Sequence, residues 1–84
     1  MSDRDLMLEM RAKGYFLRHF PGDTVTPRFC ALLETMHGIG STAIAATWAR
    51  PLVERRVVSV EDVSRVLGED VAQMVAMLTE RSPL

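Results

Sequence analysis

The chain has few of the side chains from which metal sites and nucleophilic active sites are built. It contains one cysteine, Cys30, and two histidines among 84 residues. A single cysteine excludes a disulfide within the chain and is typical of a reducing compartment. Zinc sites need three or four protein ligands, and His19 lies in a different predicted helix from Cys30 and His37. The sequence therefore predicts no metal, no cofactor and no catalytic residue.

Long apolar runs and a surplus of basic residues are also lacking. No window approaches the roughly 20 apolar residues that span a bilayer, and the N-terminus lacks the apolar run of a signal peptide. Ten Lys and Arg residues face eleven Asp and Glu residues, which leaves a net charge of −1. Domains that bind nucleic acid or anionic membranes usually carry a basic surplus. We therefore expect a soluble, cytoplasmic protein without membrane attachment, and the charge disfavours nucleic acid as its partner.

Apolar residues are well represented, at 48% of the chain, which favours a globular fold. Eighty-four residues form one domain at most, and so short a chain builds only one modest core with a thin stability margin. We expect a single domain over residues 1–84. Its N-terminal helix would cover residues 1–20, and a helical core would follow over residues 26–80.

The first two predicted helices are separated by a loop from Phe20 to Val25. Ser2 can cap the first helix. Its apolar face is predicted to contain or adjoin Leu6, Met7, Met10, Gly14 and Leu17. Thr26 followed by Pro27 predicts the start of the second helix. The apolar residues of that helix follow the i, i+3, i+4, i+7 pattern: Phe29, Leu32, Leu33 and Met36.

Three further helices are predicted after the glycines at positions 38 and 40. The third starts at Ser41 or Thr42, and Pro51 is expected to kink or shorten it. Its predicted apolar stripe is Ile44, Ala45, Trp48 and Leu52. A near-capping box, Ser59 with Asp62, predicts the fourth helix, which ends at Gly68. The buried residues predicted for the last two helices are Val63, Val66, Leu67, Val71, Met74, Val75 and Leu78. The fold class is therefore all-α, a small bundle of about five short helices, with a frayed tail over Arg81–Leu84.

Three local patterns carry weaker functional interpretations. The stretch His37–Thr42, HGIGST, places glycines before a helix start, where backbone N–H groups can bind an anion. The unit at residues 59–78 is similar to a helix-turn-helix, so a small DNA-binding regulator is an alternative function. Glu69 and Asp70, however, would open its recognition helix and repel phosphates. Arg50, Arg55 and Arg56 form the main basic cluster, which is more typical of a solvated helix end than of a phosphate site.

From Thr26 to Leu78 the order of features resembles the HD hydrolase domain of RelA/SpoT alarmone enzymes. The agreement consists of these residues: Pro27, Gly38-Ile39, Ala45-Ala46, Glu54, Glu61-Asp62, Leu67-Gly68 and Val71. Active members of that family hold a metal, typically manganese, with histidine and aspartate side chains. The resemblance implies an HD-like helical core over residues 26–80 that continues beyond this chain, leaving part of its core exposed to a partner. The alternative is that the chain closes into a compact five-helix unit of its own.

The departures from the HD pattern imply a domain without hydrolase activity. Thr26 stands where the family has a histidine, and Arg50-Pro51 stands where it has its His-Asp pair. The family's Glu-Asp pair corresponds to Glu54-Arg55, so the glutamate is retained and arginine replaces the aspartate. Arginine cannot become a ligand, proline has no side-chain donor, and one carboxylate cannot hold a divalent ion against water. The sequence is therefore similar to the degenerate domain of synthetase-only members.

The leading hypothesis is a non-enzymatic helical interaction or regulatory module that binds a protein partner or itself. The candidates for core or interface are Phe29, Met36, Trp48, Met74 and Leu78. The second alternative, after DNA binding, is residual guanosine-nucleotide binding near Arg50, Glu54, Arg55 and Arg56. Six methionines are many for this length. Their flexible side chains suit a surface that adapts to a partner, although internal packing explains them equally well.

Overall fold

The computed structural model describes residues 3–36 and 38–80. Within these ranges the chain forms five α-helices and no strand. The helices are α1 (Asp3–His19), α2 (Val25–Glu34), α3 (Ser41–Glu54), α4 (Val60–Leu67) and α5 (Glu69–Glu80). The prediction of a small all-α bundle of about five helices is confirmed. The Ser2 cap, His37 and the Arg81–Leu84 tail lie outside the described residues.

α3 is the central helix and packs against α1, α2, α4 and α5. Its predicted stripe is confirmed, since all of its members are buried: Ile44, Ala45, Trp48 and Leu52. Ala46 and Ala49 are buried as well, so α3 is enclosed by its neighbours around most of its circumference. The distance between packed helices depends on the side chains at their contact. The alanines of α3 therefore let the surrounding helices approach closely.

Pro51 lies inside α3, and the helix continues past it to Glu54. The proline removes one helical N–H donor, but Trp48 and Leu52 are buried on either side of it. Burial of these two large side chains outweighs the loss of one helical hydrogen bond. Pro51 therefore does not end the helix at its own position.

α3 ends in a Schellman motif in which an arginine takes the position usually given to glycine. The Val57 N–H donates to the Leu52 carbonyl at 2.9 Å, and the Arg56 N–H donates to the Val53 carbonyl at 3.0 Å. Arg56 has φ 58°, in the left-handed region. That conformation costs a residue with a Cβ roughly 1–2 kcal/mol. Arg56 therefore carries backbone strain that a glycine would not.

Replacing Arg56 with glycine is expected to stabilise the fold by about 0.5–1 kcal/mol. The relief of left-handed strain exceeds the extra flexibility that glycine gives the unfolded chain. Urea denaturation followed by circular dichroism measures the change. Arg56→Ala removes the same side chain while keeping the Cβ, so it should not stabilise the protein. Equal stabilisation by both variants would place the effect in the side chain and contradict the backbone explanation.

α1 buries a different face from the one predicted. Leu6, Met7 and Met10 are 50%, 58% and 63% exposed, whereas Ala12 and Phe16 are fully buried. The Phe16 ring lies 5.4 Å from the ring of Trp48 and 5.5 Å from that of Phe20, centroid to centroid. The small Ala12 lets α1 approach α3, and the large Phe16 fills the space beside Trp48. α1 ends at His19, so its predicted end before a loop that starts at Phe20 is confirmed.

α2 begins one residue earlier than its predicted cap. Val25 is the first helical residue and Thr24 is the N-cap residue, with no side-chain capping bond. The carboxylate of Asp23 instead accepts from the N–H of Val25 at 2.9 Å and from that of Thr26 at 3.4 Å. The prediction of Thr26 as the cap and Pro27 as the first helical residue was therefore wrong. An aspartate two residues upstream satisfies the free backbone donors instead.

α4 and α5 follow the sequence prediction closely. Ser59 and Asp62 form the reciprocal capping box, with bonds of 2.9 and 3.1 Å, and Gly68 closes α4 with φ 97°. The fully or nearly fully buried members of the predicted sets are Val63, Leu67, Val71 and Val75. Val66 and Met74 are partly buried, and Leu78 is 37% exposed. The predicted burial is confirmed for the first turns of α5, and it is wrong at the C-terminal end of that helix, where Leu78 is exposed.

Candidate interaction surface

α2 carries apolar side chains both on its buried side and on its exposed side. Cys30 is buried against the core and Leu33 is partly buried. Val25, Phe29 and Leu32 are 76%, 53% and 60% exposed. At about 100° per residue, these three lie within an arc of roughly 60°, whose centre is roughly 130° around the helix from Cys30 and roughly 70° from Leu33. Met36, in the turn that follows α2, is 52% exposed.

We call Val25, Phe29, Leu32 and Met36 the outer stripe. The i, i+3, i+4, i+7 pattern of α2 predicted one apolar face, and in the structure only Leu33 of that set packs against the core. The reason is that α2 contacts the bundle mainly through α3. One neighbouring helix covers one side of α2, so its other apolar side stays exposed. A helix that is apolar on both sides is normally covered on both.

The five candidates for core or interface separate into two groups. Trp48 is 5% exposed, and Met74 is partly buried against the core. Phe29 and Met36 belong to the outer stripe, and Leu78 is 37% exposed on α5. The structure therefore leaves Phe29, Met36 and Leu78 exposed and places Trp48 and Met74 in the interior.

A shallow groove runs between α1 and α2, above the side chain of Trp48. It has a volume of about 190 Å³. Its apolar lining is Leu6, Met10, Pro27, Ala31 and Trp48. Glu9, Lys13 and Glu34 also line it. The groove therefore adds apolar surface on the inner flank of α2.

Two carboxyl groups meet beside this groove. Glu9 is only 5% exposed, and its carboxylate accepts a 2.7 Å hydrogen bond from the Ser41 hydroxyl. Its carboxyl group also hydrogen-bonds that of Glu34. This hydrogen bond, then burial and the negative charge of Glu9, raise the pKa of Glu34, while Lys13 acts in the opposite direction. The protonated form of Glu34 is therefore favoured, because it can donate a hydrogen bond to the Glu9 side chain.

Replacing Glu34 with glutamine is expected to raise the melting temperature at neutral pH and not at pH 4. Because the pKa of Glu34 in the folded state lies above its ordinary value of 4.5, the protonated form favours folding. That stabilisation is fully present below the ordinary value and is lost as the pH rises through the raised pKa. A glutamine amide donates to Glu9 at every pH. Thermal melts of both proteins between pH 4 and pH 8 measure the difference.

The matched control for Glu34 is Glu61→Gln, which removes an exposed carboxylate on α4. This variant should not raise the melting temperature at any pH in the range. A gain for Glu34→Gln that is as large at pH 4 as at pH 8 would show that the raised pKa of Glu34 is not its cause.

The chemistry considered for Cys30 receives no support from its surroundings. Burial, with a smaller contribution from the charge of Glu34, raises the pKa of the thiol to about 12. A thiol with so high a pKa is a poor nucleophile and a poor metal ligand near neutral pH. His19 lies at the end of α1, where its ring contacts that of Tyr15 at 5.7 Å. Across residues 3–36 and 38–80, no three His, Cys, Asp or Glu side chains are grouped so that they could hold a metal.

The arginines of the basic cluster do not converge on one site. Arg50 forms an ion pair with Glu54 one turn later on α3. Arg55 pairs with Asp23 at 3.6 Å, and its guanidinium lies 4.6 Å from the centre of the Phe20 ring. Arg56 belongs to the Schellman motif. Arg50, Glu54 and Arg55 therefore already have partners within the protein, and those of Arg55 come from the loop between α1 and α2.

The remaining two sequence patterns form ordinary helix junctions. Gly38 has φ 86°, and Gly40 is the N-cap residue of α3. The Ser41 hydroxyl at that helix start faces the Glu9 carboxylate, which disfavours an added anion. In the α4–α5 unit, Glu69 and Asp70 are exposed in the first turn of α5, as the sequence predicted. A wide open depression of about 1010 Å³ lies beside them, and acidic and basic side chains both line it.

Several residues of this surface were missed in the sequence. Val25 was assigned to a loop, and Glu9 and Glu34 were not considered, because neither carboxylate belongs to a motif. Leu32 was assigned to the core-facing side of its helix. The available signal was the breadth of the apolar pattern in α2. Its apolar residues occur on all sides, too many for one face of a ten-residue helix.

Comparisons with known proteins identify no relative of this chain. No protein-family model, curated protein or solved structure matches it. In the part of the chain that the structure describes, each helix is too short or too polar to cross a membrane.

Proposed function

We propose that this chain is a non-enzymatic helical interaction module that binds a protein partner through the outer stripe of α2. The observation that carries the proposal is the exposure of four apolar side chains on one side of α2: Val25, Phe29, Leu32 and Met36. Their burial by a partner would remove this apolar surface from water, which is the main favourable term in protein association.

The burial of the other side of α2 supports this proposal. Cys30 is 1% exposed and Leu33 packs against the core, so α2 cannot turn to bury the outer stripe without exposing these residues. The stripe is therefore a stable property of the folded bundle. Phe29 lies near its centre, and aromatic side chains of this kind are frequent energetic centres of protein interfaces.

The resemblance to a degenerate HD domain agrees with a role in binding and regulation in the cytoplasm. Thr26, Arg50 and Pro51 replace the family's metal ligands, and Glu54 forms an ion pair with Arg50. A domain with these replacements keeps the helical scaffold and acts on a neighbouring protein through its surface. Both the family relationship and the regulatory role belong to this proposal.

Site-specific photo-crosslinking in the cells that produce the protein tests the proposal. The photoreactive residue benzoylphenylalanine replaces Phe29, and in a second version it replaces the exposed Glu61 on α4. We expect a discrete protein adduct from position 29 and none from position 61. Adding Leu32→Lys to the first version should abolish the adduct while the far-ultraviolet circular dichroism remains helical.

Two outcomes would contradict the proposal. One is the absence of any protein adduct at position 29. The other is an adduct of equal yield at positions 29 and 61, which would indicate random collisions. The mass of a specific adduct also distinguishes a second copy of this chain from a different protein, and either identity supports an interaction module.

A further inference from the structure

We infer that the outer stripe binds the outer stripe of a second copy, with the two α2 helices antiparallel across a two-fold axis. This inference rests on the proposed function and names the partner. A two-fold interface requires a patch that is complementary to itself. The outer stripe meets this requirement in its spacing, its charge and its size.

The spacing of the stripe is the same in both directions along the chain. Val25 and Phe29 are four residues apart, Phe29 and Leu32 three, and Leu32 and Met36 four. If the two-fold axis passes between Phe29 and Leu32, Phe29 of one copy faces Leu32 of the other. The same axis places Val25, at the start of α2 in one copy, opposite the turn that carries Met36 in the other. The large Phe29 ring therefore meets the smaller Leu32 side chain in both of the contacts that the axis relates.

The charge distribution also suits self-association. A charged residue on a two-fold axis meets its own like charge, and the outer stripe contains none. Arg28 and Thr35 are exposed on the flank of α2 beside the stripe, where they would form a polar rim in contact with water. The net charge of the chain is −1, so long-range repulsion between two copies is small.

The size of the stripe predicts a weak dimer. Four side chains, each more than half exposed, present roughly 400 Å² of apolar surface. A standard interface takes about 800 Å² from each partner, and smaller ones are transient. We therefore expect a reversible dimer with a dissociation constant on the order of 10–100 μM.

Sedimentation equilibrium of the full chain between about 1 and 500 μM is the first measurement. The native protein should shift from monomer to dimer over this range. Phe29→Lys and Leu32→Glu should each remain monomeric, because every two-fold contact would then bury an unpaired charge. Both positions are exposed, so circular dichroism of the two variants should match that of the native chain.

Mixing the two variants tests the antiparallel register. In a heterodimer, Lys at position 29 of one copy faces Glu at position 32 of the other, and the second contact stays Phe against Leu. The mixture of Phe29→Lys with Leu32→Glu should therefore dimerise. A mixture of Phe29→Lys with Thr35→Glu should form no heterodimer, because position 35 lies on the flank and offers no partner to the lysine at position 29. Thr35→Glu keeps the native stripe and should pair only with itself. In a parallel pairing, position 29 faces position 29 and no mixture restores the dimer.

The outcomes separate this inference from the proposed function. A native chain that stays monomeric at 500 μM would overturn self-association, whereas a specific adduct from position 29 to another protein would leave the interaction module intact. A dimer that survives both single variants would place the interface elsewhere and would overturn the assignment of the outer stripe. Failure of the mixture of Phe29→Lys with Leu32→Glu to dimerise would overturn the antiparallel register.

Discussion

Replacing Phe16 with alanine is expected to destabilise the fold by about 3–5 kcal/mol. Phe16 is fully buried and contacts the rings of Phe20 and Trp48. Alanine removes the ring and leaves a cavity between α1 and α3 that the surrounding helices only partly close. A small domain has about 5–10 kcal/mol of total stability, so this loss takes most of it.

Urea denaturation followed by circular dichroism and by the fluorescence of Trp48 measures the effect of Phe16→Ala. Both signals should shift to a lower midpoint together, since Trp48 lies 5.4 Å from the missing ring. Met10→Ala on the exposed side of the same helix is the matched control and should change stability by less than about 0.5 kcal/mol. A loss below about 1 kcal/mol for Phe16→Ala would contradict its central place in the core.

Replacing Ala49 with leucine is expected to destabilise the fold by about 1–3 kcal/mol, although the change makes the core more apolar. Ala49 is fully buried in α3, the helix that all the others contact. Leucine adds three carbon atoms where the neighbouring helices approach α3. They must move apart or the side chain must leave its preferred rotamer, and both changes cost free energy.

The matched control for Ala49 is Ala31→Leu on the exposed surface of α2. Alanine and leucine have similar helix propensities, so this variant should be nearly neutral for stability. Denaturation midpoints of both variants and of the native chain measure the difference. A stabilising effect of Ala49→Leu would show that the centre of the bundle holds unfilled space rather than closely packed helices.

Substitutions in the outer stripe are expected to weaken association and to leave the stability of the fold unchanged. Phe16 and Phe29 are both phenylalanines in helices, yet one is fully buried and the other is 53% exposed. Loss of Phe16 should strongly destabilise the fold, and loss of Phe29 should leave the fold intact and reduce association. The two residues therefore distinguish what holds the bundle together from what it offers a partner.

Much of the helical architecture follows from local chemistry. Ser59 and Asp62 satisfy the free N–H groups at the start of α4, and Gly68 supplies the positive φ that ends it. The apolar spacing of Ile44, Trp48 and Leu52 identifies the buried side of α3. These features act within one or two helical turns, so they are visible in the sequence.

The candidate surface was less predictable, because its residues have no local signature. The outer stripe and the core-facing side of α2 are both apolar. The sequence pattern therefore does not predict which of these two surfaces α3 covers. Glu9 and Glu34 are 25 positions apart in the chain, and only the packing of α1 beside α2 brings their carboxyl groups together. Periodicity describes one helix at a time, whereas burial depends on which helices are neighbours.

The sequence by itself determined an all-α chain with five helices in the described residues, most of their ends, and the buried side of α3 and α4. These properties depend on backbone hydrogen bonds, caps and apolar spacing within single helices. Only the tertiary structure decided that α1 buries Phe16 and exposes Met10, and that α2 exposes Phe29 and buries Cys30. The physical reason is that α3 has a limited surface, and each helix packed on it buries one side and leaves the other to solvent or to a partner.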